Sequence, residues 1–186
     1  KFIEECLESL LAQDMPPSEY HIIVVDNGST DGSRQLIEDA FPQAALIALP
    51  ANTGFCHAVN VGIRAAKTPY VILLNNDTKV HPRFVGALCG ALEARGEAFS
   101  VSARMRMWDR PELMDDAGDR YCALGWAYAR GKGQPASRYD APAEIFSACG
   151  GAAIYRKRVL EEIGLFDEAH FAYLEDLDMG WRARVQ

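Results

Sequence analysis

Cysteine is present but never paired in this sequence: Cys6, Cys56, Cys89, Cys122 and Cys149 stand singly, no CxxC spacing occurs, and their number is odd. Neither a zinc knuckle nor a disulfide framework is suggested by that pattern, and the reduced thiols of a cytoplasmic protein explain it best. No apolar run approaches the length of about 18 residues that a membrane-spanning helix needs, and no signal peptide opens the chain. Positive charge is also short: 19 Lys and Arg stand against 26 Asp and Glu, a net charge of −7. A protein that wraps nucleic acid or coats an anionic surface through a polybasic face does not read that way. Local basic patches remain, for example Arg104 with Arg106 and Lys157 with its flanking arginines. Internal repeats and low-complexity tracts are absent. An initiator Met and a capping signal after Arg184-Val-Gln are absent too, so the expectation is a piece of a longer protein.

What is there fits a single globular domain. A length of 186 residues with 49% hydrophobic content supplies a real core. The first residues set Phe2, Ile3, Cys6, Leu7, Leu10 and Leu11 at helical spacing, which predicts an amphipathic helix ending before Pro16-Pro17. A β-branched strand over 21–25 runs into Asp26-Asn-Gly-Ser-Thr-Asp31, where Asp31 or Ser33 can cap the next helix. The unit then repeats: strand 45–49, loop Asn52-Thr-Gly54-Phe, helix 56–66, strand 70–74 ending in Asn75-Asn76-Asp77, and a helix from about Pro82 to Ala94. Such alternation predicts an α/β fold with a mostly parallel sheet covered by helices on both faces. Ligands of these sheets sit beyond the carboxyl ends of the strands, so the Asp26 and Asp77 loops are expected to converge. From Met107 to Pro142 the pattern is irregular, yet Trp108, Tyr121, Trp126 and Tyr128 are costly to leave in water, which predicts an ordered excursion. Trp126 and Tyr128 either stack on a sugar or pack in a core or lid. The run 145–155 reads as a strand interrupted by Gly150-Gly151, where a backbone or ligand can approach closely.

Chemistry concentrates in three places. The loop at Asp26 offers a carboxylate and exposed amides, suited to a nucleoside or simply to a turn and helix cap. Asp77 offers one hard oxygen for Mg²⁺ or Mn²⁺ already bridging phosphates, or an Asx turn closing a strand. Near the end, Glu175, Asp176 and Asp178 fall within four positions beside Phe171, Tyr173 and Trp181. Half-buried carboxylates raise one another's pKa, which suits a general base. An acidic first helical turn, favoured by the macrodipole, is the plainer alternative. If a helix starts near Glu175, Leu174 and Leu177 are expected to pack inward beside the site.

These motifs occur together and in order, and so the chain resembles the family 2 glycosyltransferases of the GT-A fold, in their bacterial rhamnosyltransferase-like branch. The resemblance rests on Val24-Val-Asp-Asn-Gly-Ser-Thr-Asp-Gly-Ser33, on Asn52-Thr-Gly-Phe with Asn60 and Gly62, and on Leu73-Leu-Asn-Asn-Asp-Thr78 as that branch's DxD motif. Gly150-Gly-Ala-Ala-Ile-Tyr-Arg156, Gly164-Leu-Phe-Asp-Glu168 and Tyr173-Leu-Glu-Asp-Leu-Asp178 with Arg182 complete it, over nearly the whole chain. It implies nucleotide-sugar contacts from Asp26, Asn52, Gly54, Asn60 and Asn75, with Gly150 and Gly151 near the donor sugar. It further implies Asp77 on the metal, Asp176 as catalytic base, and Glu175 and Arg182 on the acceptor side. The partners it implies are a nucleotide-diphosphate sugar and a saccharide or lipid-linked acceptor, at the inner face of the cell membrane. The family's opening strand is expected to precede Lys1, between the strands ending at Asp26 and Asp77, leaving 1–186 an incomplete single domain. A non-catalytic binding module on the same fold is one rival. A nucleotidyltransferase is another, though the glycine-rich, Lys/Arg-bearing phosphate loop it normally carries is not seen.

Overall fold

The computed structural model describes residues 2–186. Helix α1 (Phe2–Leu11) buries Ile3, Cys6 and Leu7, the face predicted from their spacing. Strand β1 (Ile23–Asp26) pairs in parallel with β2 (Ala45–Ala48), joined by α2 (Ser33–Ala40). Ile3 and Leu7 of α1 meet Ile37 of α2 and Phe41 in one apolar cluster, with Val24 and Leu46 of the two strands against it. Asp31 does not cap α2. Its carboxylate accepts the Ser33 N–H in a local turn, and Gly32, in the left-handed region at φ 86°, precedes the helix.

Helix α3 (Phe55–Ala65) leads to β3 (Tyr70–Leu74), followed by α4 (Phe84–Glu93) and β4 (Ser100–Ser102). The alternation is as expected, but one strand enters from elsewhere. Strand β9 (Ala152–Arg156) lies between β3 and β4, antiparallel to both, with Ile72 opposite Ile154 and Val101 opposite Ile154 on the other side. A helical crossover forces parallel pairing. Because β9 arrives from the irregular excursion and not through such a crossover, nothing holds it to the parallel direction. Among the described residues β1 has no strand partner beyond β2, and β3 has none beyond β9.

Helices tie the two sheets together. Gly62 of α3 comes against Val25 of β1, while Cys56 and Ile63 of the same helix enter the core formed with Val71, Leu73, Ala153 and Tyr155. From the other sheet's side, α1 reaches the loop after β3: Ser9 Oγ accepts the Val80 N–H at 3.1 Å, and Gln13 Oε1 accepts the Val85 N–H at 2.9 Å at the start of α4. The excursion holds two short antiparallel pairs: β5 (Met105–Arg106) with β6 (Met114–Asp116), and β7 (Asp119–Tyr121) with β8 (Ala127–Ala129). It is ordered, yet not for the reason its aromatics suggest: Tyr121 stacks on Phe146, while Trp126 and Tyr128 stay exposed. Helices α5 (Lys157–Ile163) and α6 (Glu175–Val185) close the chain.

The basic patches are structural. Lys157 Nζ donates to the last carbonyl of α3's cap, Ala66, and Arg156 donates to Leu92, Arg95 and Ala98 at the end of α4. Cations at helix C-termini satisfy carbonyls that lack intrahelical donors. Arg104 is ion-paired with Asp140.

Candidate active site

Asp176 lies in the first turn of α6, and the chain reaches it through two residues in the left-handed region, Tyr173 at φ 74° and Leu174 at φ 69°. For side chains other than glycine this conformation costs of order 1–3 kcal/mol each, so the surroundings must hold it. They do so at Phe171, whose carbonyl accepts the Phe55 N–H at 2.7 Å and whose backbone and ring lie where a Cβ on Gly54 would need to be. Leu174 does not pack inward as expected: it is 64% exposed, because the left-handed turn swings it away from the core.

The Asp176 carboxylate is turned back to Gly150. Its Oδ2 accepts the Gly150 N–H at 3.0 Å, and a Cβ at position 150 would sit 2.9 Å from Oδ1. That close approach is why glycine stands there. Oδ1 itself is enclosed and has no hydrogen-bond partner, and the same holds for Oε2 of the buried Glu175. Unpartnered buried carboxylate oxygens carry a desolvation penalty, and a reacting proton can relieve it. Burial pushes the Asp176 carboxyl up to about 7; the Gly150 amide opposes the rise, and Glu175, Asp119 and Asp116 add to it.

Two of those acids come from the excursion. Asp116 in β6 is buried, accepts the Gly118 N–H, and is raised to about 6 by burial. Asp119 in β7 accepts from Ser147 Oγ at 3.1 Å and is also raised by burial. Sequence reasoning missed both. The signal was the run Asp115-Asp116-Ala-Gly-Asp119, acids crowded where the chain also turns apolar. Burial raises the neighbouring Cys149 thiol to about 12, which leaves it a protonated, inert group.

Asn75 and Asp77 face the same opening. The Asn75 N–H donates to the Gly151 carbonyl at 2.9 Å, and a Cβ on Gly151 would lie 3.5 Å from Asn75 Nδ2. Asn75, Asp77, Gly151, Asp116 and Asp176 all line one open cleft of about 2560 Å³. The Asp77 side chain is exposed and makes no hydrogen bond or ion pair among the described residues. No group of three His, Cys, Asp or Glu able to hold a metal occurs among them either. A divalent ion here would rest on one protein carboxylate plus phosphate and water oxygens, a donor set that Mg²⁺ and Mn²⁺ accept.

Asp26, Asn52 and Gly54 do not line that cleft. Asp26 is buried at the end of β1, accepting the Ser29 N–H at 3.3 Å. Next to it Asn27, unremarked in the sequence reading, clasps the neighbouring loop: its Nδ2 donates to Asn52 Oδ1 at 3.1 Å and to the Gly54 carbonyl at 3.0 Å, and its Oδ1 accepts the Thr53 N–H at 2.9 Å. The loops therefore join hand to hand, from Asn27 to Gly54, Phe55 to Phe171, Asp176 to Gly150, and Gly151 to Asn75.

Two expected ligand contacts have other work. Asn60 is 1% exposed, and its amide is taken up by the Phe166 backbone on both sides and by Glu168 Oε1. It fastens α3 to the loop before α6. Arg182 donates to the carbonyls of Ile163, Gly164 and Leu165 and to Asp178 Oδ2. Its guanidinium caps the C-terminal end of α5 and does not reach toward an acceptor.

A sequence-family model described as glycosyl transferase family 2 matches residues 1–164. The chain belongs to that family. Among curated proteins it is 30% identical to the N-acetylglucosaminyl-diphospho-decaprenol L-rhamnosyltransferase of Mycobacterium tuberculosis, over 97% of this chain and 65% of that protein. Among solved structures it is similar to S. aureus TarS residues 1–349, with a TM-score of 0.70 and 21% identity over 98% of this chain and 51% of the other. It is also similar to the mannosyltransferase PcManGT from Pyrobaculum calidifontis, solved in complex with GDP-Man and Mn²⁺, with a TM-score of 0.64 and 20% identity over 90% and 44% of the two chains. This family member thus shares the GT-A fold and spans just under two thirds of its mycobacterial relative and about half of TarS 1–349. Among the described residues no helix is long and apolar enough to cross a membrane.

Proposed function

We propose that this chain carries the donor site and the base of an inverting glycosyltransferase, which moves a sugar from a nucleotide-diphosphate sugar to a hydroxyl of a saccharide or lipid-linked acceptor in cell-surface polysaccharide synthesis. The observation that carries the reading is Asp176: a carboxylate raised to about 7, with one oxygen fixed by the Gly150 N–H and the other enclosed and unpartnered beside the cleft. A base is most effective when its pKa lies near the working pH. In a single displacement, the acceptor oxygen attacks the anomeric carbon from the face opposite the diphosphate. As the new C–O bond forms and the bond to diphosphate breaks, the acceptor's proton passes to the Asp176 carboxylate. A non-catalytic module on the same fold has no use for such a carboxylate.

Asp77 would hold Mg²⁺ or Mn²⁺, with Asn75 beside it as a neutral neighbour. Such an ion offsets charge on the leaving diphosphate. Asp26 supports base recognition from the end of β1. The named relatives, an N-acetylglucosaminyl-diphospho-decaprenol L-rhamnosyltransferase and a mannosyltransferase complex with GDP-Man and Mn²⁺, support this choice of partners, and a lipid-linked acceptor would suit a site at the inner face of the membrane.

Calorimetry with UDP, GDP and dTDP tests the donor side. One of the three is expected to bind more tightly with Mg²⁺ or Mn²⁺ than with chelator, and Asp77→Asn is expected to erase that difference. Equal affinity with and without metal in the unsubstituted chain would remove Asp77 from the role.

A further inference from the structure

The β7–β8 ribbon leaves its largest apolar side chains in water. Leu124 is 85% exposed, Trp126 72% and Tyr128 54%, three within five positions. Exposure of this size in one place marks an interaction surface. The ribbon is well formed: Arg120 stands opposite Tyr128 and Tyr121 opposite Ala127, the Cys122 N–H donates to the Trp126 carbonyl at 3.0 Å, and Gly125 turns the chain at φ 85°. Side chains alternate across it, so Tyr121 points to one face and Arg120, Trp126 and Tyr128 to the other. The Tyr121 face is covered, stacked on Phe146 at 5.0 Å and edge-on to Trp181 of α6 at 5.2 Å.

On the same face is a hollow of about 400 Å³ lined by Arg120, Tyr128, Arg130, Lys132, Gln134 and Tyr139, with no acidic side chain in its wall. Arg130 is held with its guanidinium 4.9 Å from the Tyr139 ring centre. Lys132 Nζ reaches Asp115 at 3.0 Å, and Arg120 has no acidic partner among the described residues. Residues 119–139 carry four cations, Arg120, Arg130, Lys132 and Arg138, against the single acid Asp119, in a chain whose net charge is −7. Cations are concentrated here against the average of the molecule.

We propose that this ribbon docks on an anionic phospholipid bilayer, with Leu124 and Trp126 entering the interface and the hollow at Arg120, Arg130 and Lys132 taking lipid phosphate. Trp and Tyr favour the headgroup level, where an apolar ring and a polar edge are both satisfied, and basic side chains beside them add attraction to anionic lipid. A second copy of the chain is a poorer occupant, because a two-fold contact sets the basic hollow against itself. The covered face gives the docking a purpose. Through Tyr121 the ribbon is fixed to Trp181 on α6, the helix that begins at Glu175-Asp176, so docking would be linked through one ring contact to the helix that carries the base. This deepens the reading of a lipid-linked acceptor, and it can fail separately, since vesicle binding needs neither donor nor turnover.

Co-sedimentation of the full chain with phosphatidylcholine vesicles, with and without phosphatidylglycerol, decides it. Binding is expected on the anionic vesicles and to weaken with salt. Trp126→Ser is expected to reduce it by about tenfold or more, from lost apolar burial. Arg120→Gln is expected to reduce it by about fivefold, the effect of one cation at such a surface. Trp126→Phe is expected to retain most binding, and unchanged thermal melts would show that each variant folds. The proposal is overturned by equal binding to neutral and anionic vesicles, by full vesicle affinity in the Leu124→Ser, Trp126→Ser pair, or by displacement with inorganic phosphate at concentrations matching the lipid phosphate. Concentration-dependent dimerisation that this same pair abolishes would also overturn it, in favour of a second copy.

Discussion

At Asp77 a carboxylate stands in solvent at the end of β3, and at Asp176, across the same cleft, another is enclosed beside a glycine amide and three more acids. The two differ in what water does for them. A carboxylate left in water can be offered to a cation; one withdrawn from water among like charges holds its proton until near neutrality, and can exchange it there. Identical side chains thus acquire opposite aptitudes from their surroundings, burial foremost. The largest effect that could break this contrast is chemical. Asp176→Asn keeps the shape and the Gly150 hydrogen bond but removes the basic lone pair, so turnover by the full enzyme is expected to fall by about two to four orders of magnitude with nucleotide affinity nearly unchanged. The unsubstituted enzyme should show kcat/KM rising with pH through about 7 as Asp176 ionises. Near-normal turnover in Asp176→Asn, or a larger loss in Asp178→Asn, would mean that the base lies elsewhere.

How far the sequence could show this contrast depends on which side of the cleft is considered. The exposed side is local: strand β3 falls where a β-branched and apolar run predicts it, and Asp77 is placed by three following residues. The buried side is assembled from a distance. Asp176 owes its environment to Gly150, Asp116 and Asp119, from 26 to 60 positions away and on elements whose pairing no periodicity encodes. The same reason explains Asn60 and Arg182: a motif shows that a polar residue stands at a position, and only packing shows whether its hydrogen bonds go to a ligand or to the backbone of Phe166 and Leu165. Strand β9 is a further case, since its direction is set by the route of the excursion before it.

A stability measurement sharpens the comparison with a smaller effect. The folded-state pKa of Asp176 lies above its value of 3.8 in a model peptide, so the folded chain binds a proton more tightly than the unfolded one, and stability falls as pH rises from about 4 through about 7. Asp116, raised to about 6, acts in the same direction. Asp176→Asn carries no charge to bury and is expected to be more stable than the unsubstituted chain at pH 8, by at most ~4 kcal/mol, with the gain vanishing near pH 4. Thermal or urea unfolding across that range measures it. A difference independent of pH would mean that the Asp176 carboxylate is not held in its neutral form by the fold.

The smallest effect separates the clasp from the site. If Asn60 faced the donor, its loss would weaken nucleotide binding and leave the fold alone. In the structure its Nδ2 donates to the Phe166 carbonyl at 2.8 Å and to Glu168 Oε1 at 2.9 Å, and its Oδ1 accepts the Phe166 N–H at 3.1 Å. Asn60→Ala leaves both Phe166 backbone groups buried without partners, a loss of about 1–3 kcal/mol in unfolding free energy. Nucleotide affinity, measured well below the melting temperature, is expected to stay within about twofold, because Asn27 and Asp26 hold their loops by bonds of their own. Urea unfolding and calorimetry on the same variant give both numbers. Unchanged stability with a tenfold loss of nucleotide affinity would return Asn60 to the donor site and show that the Phe166 contacts do not survive ligand binding.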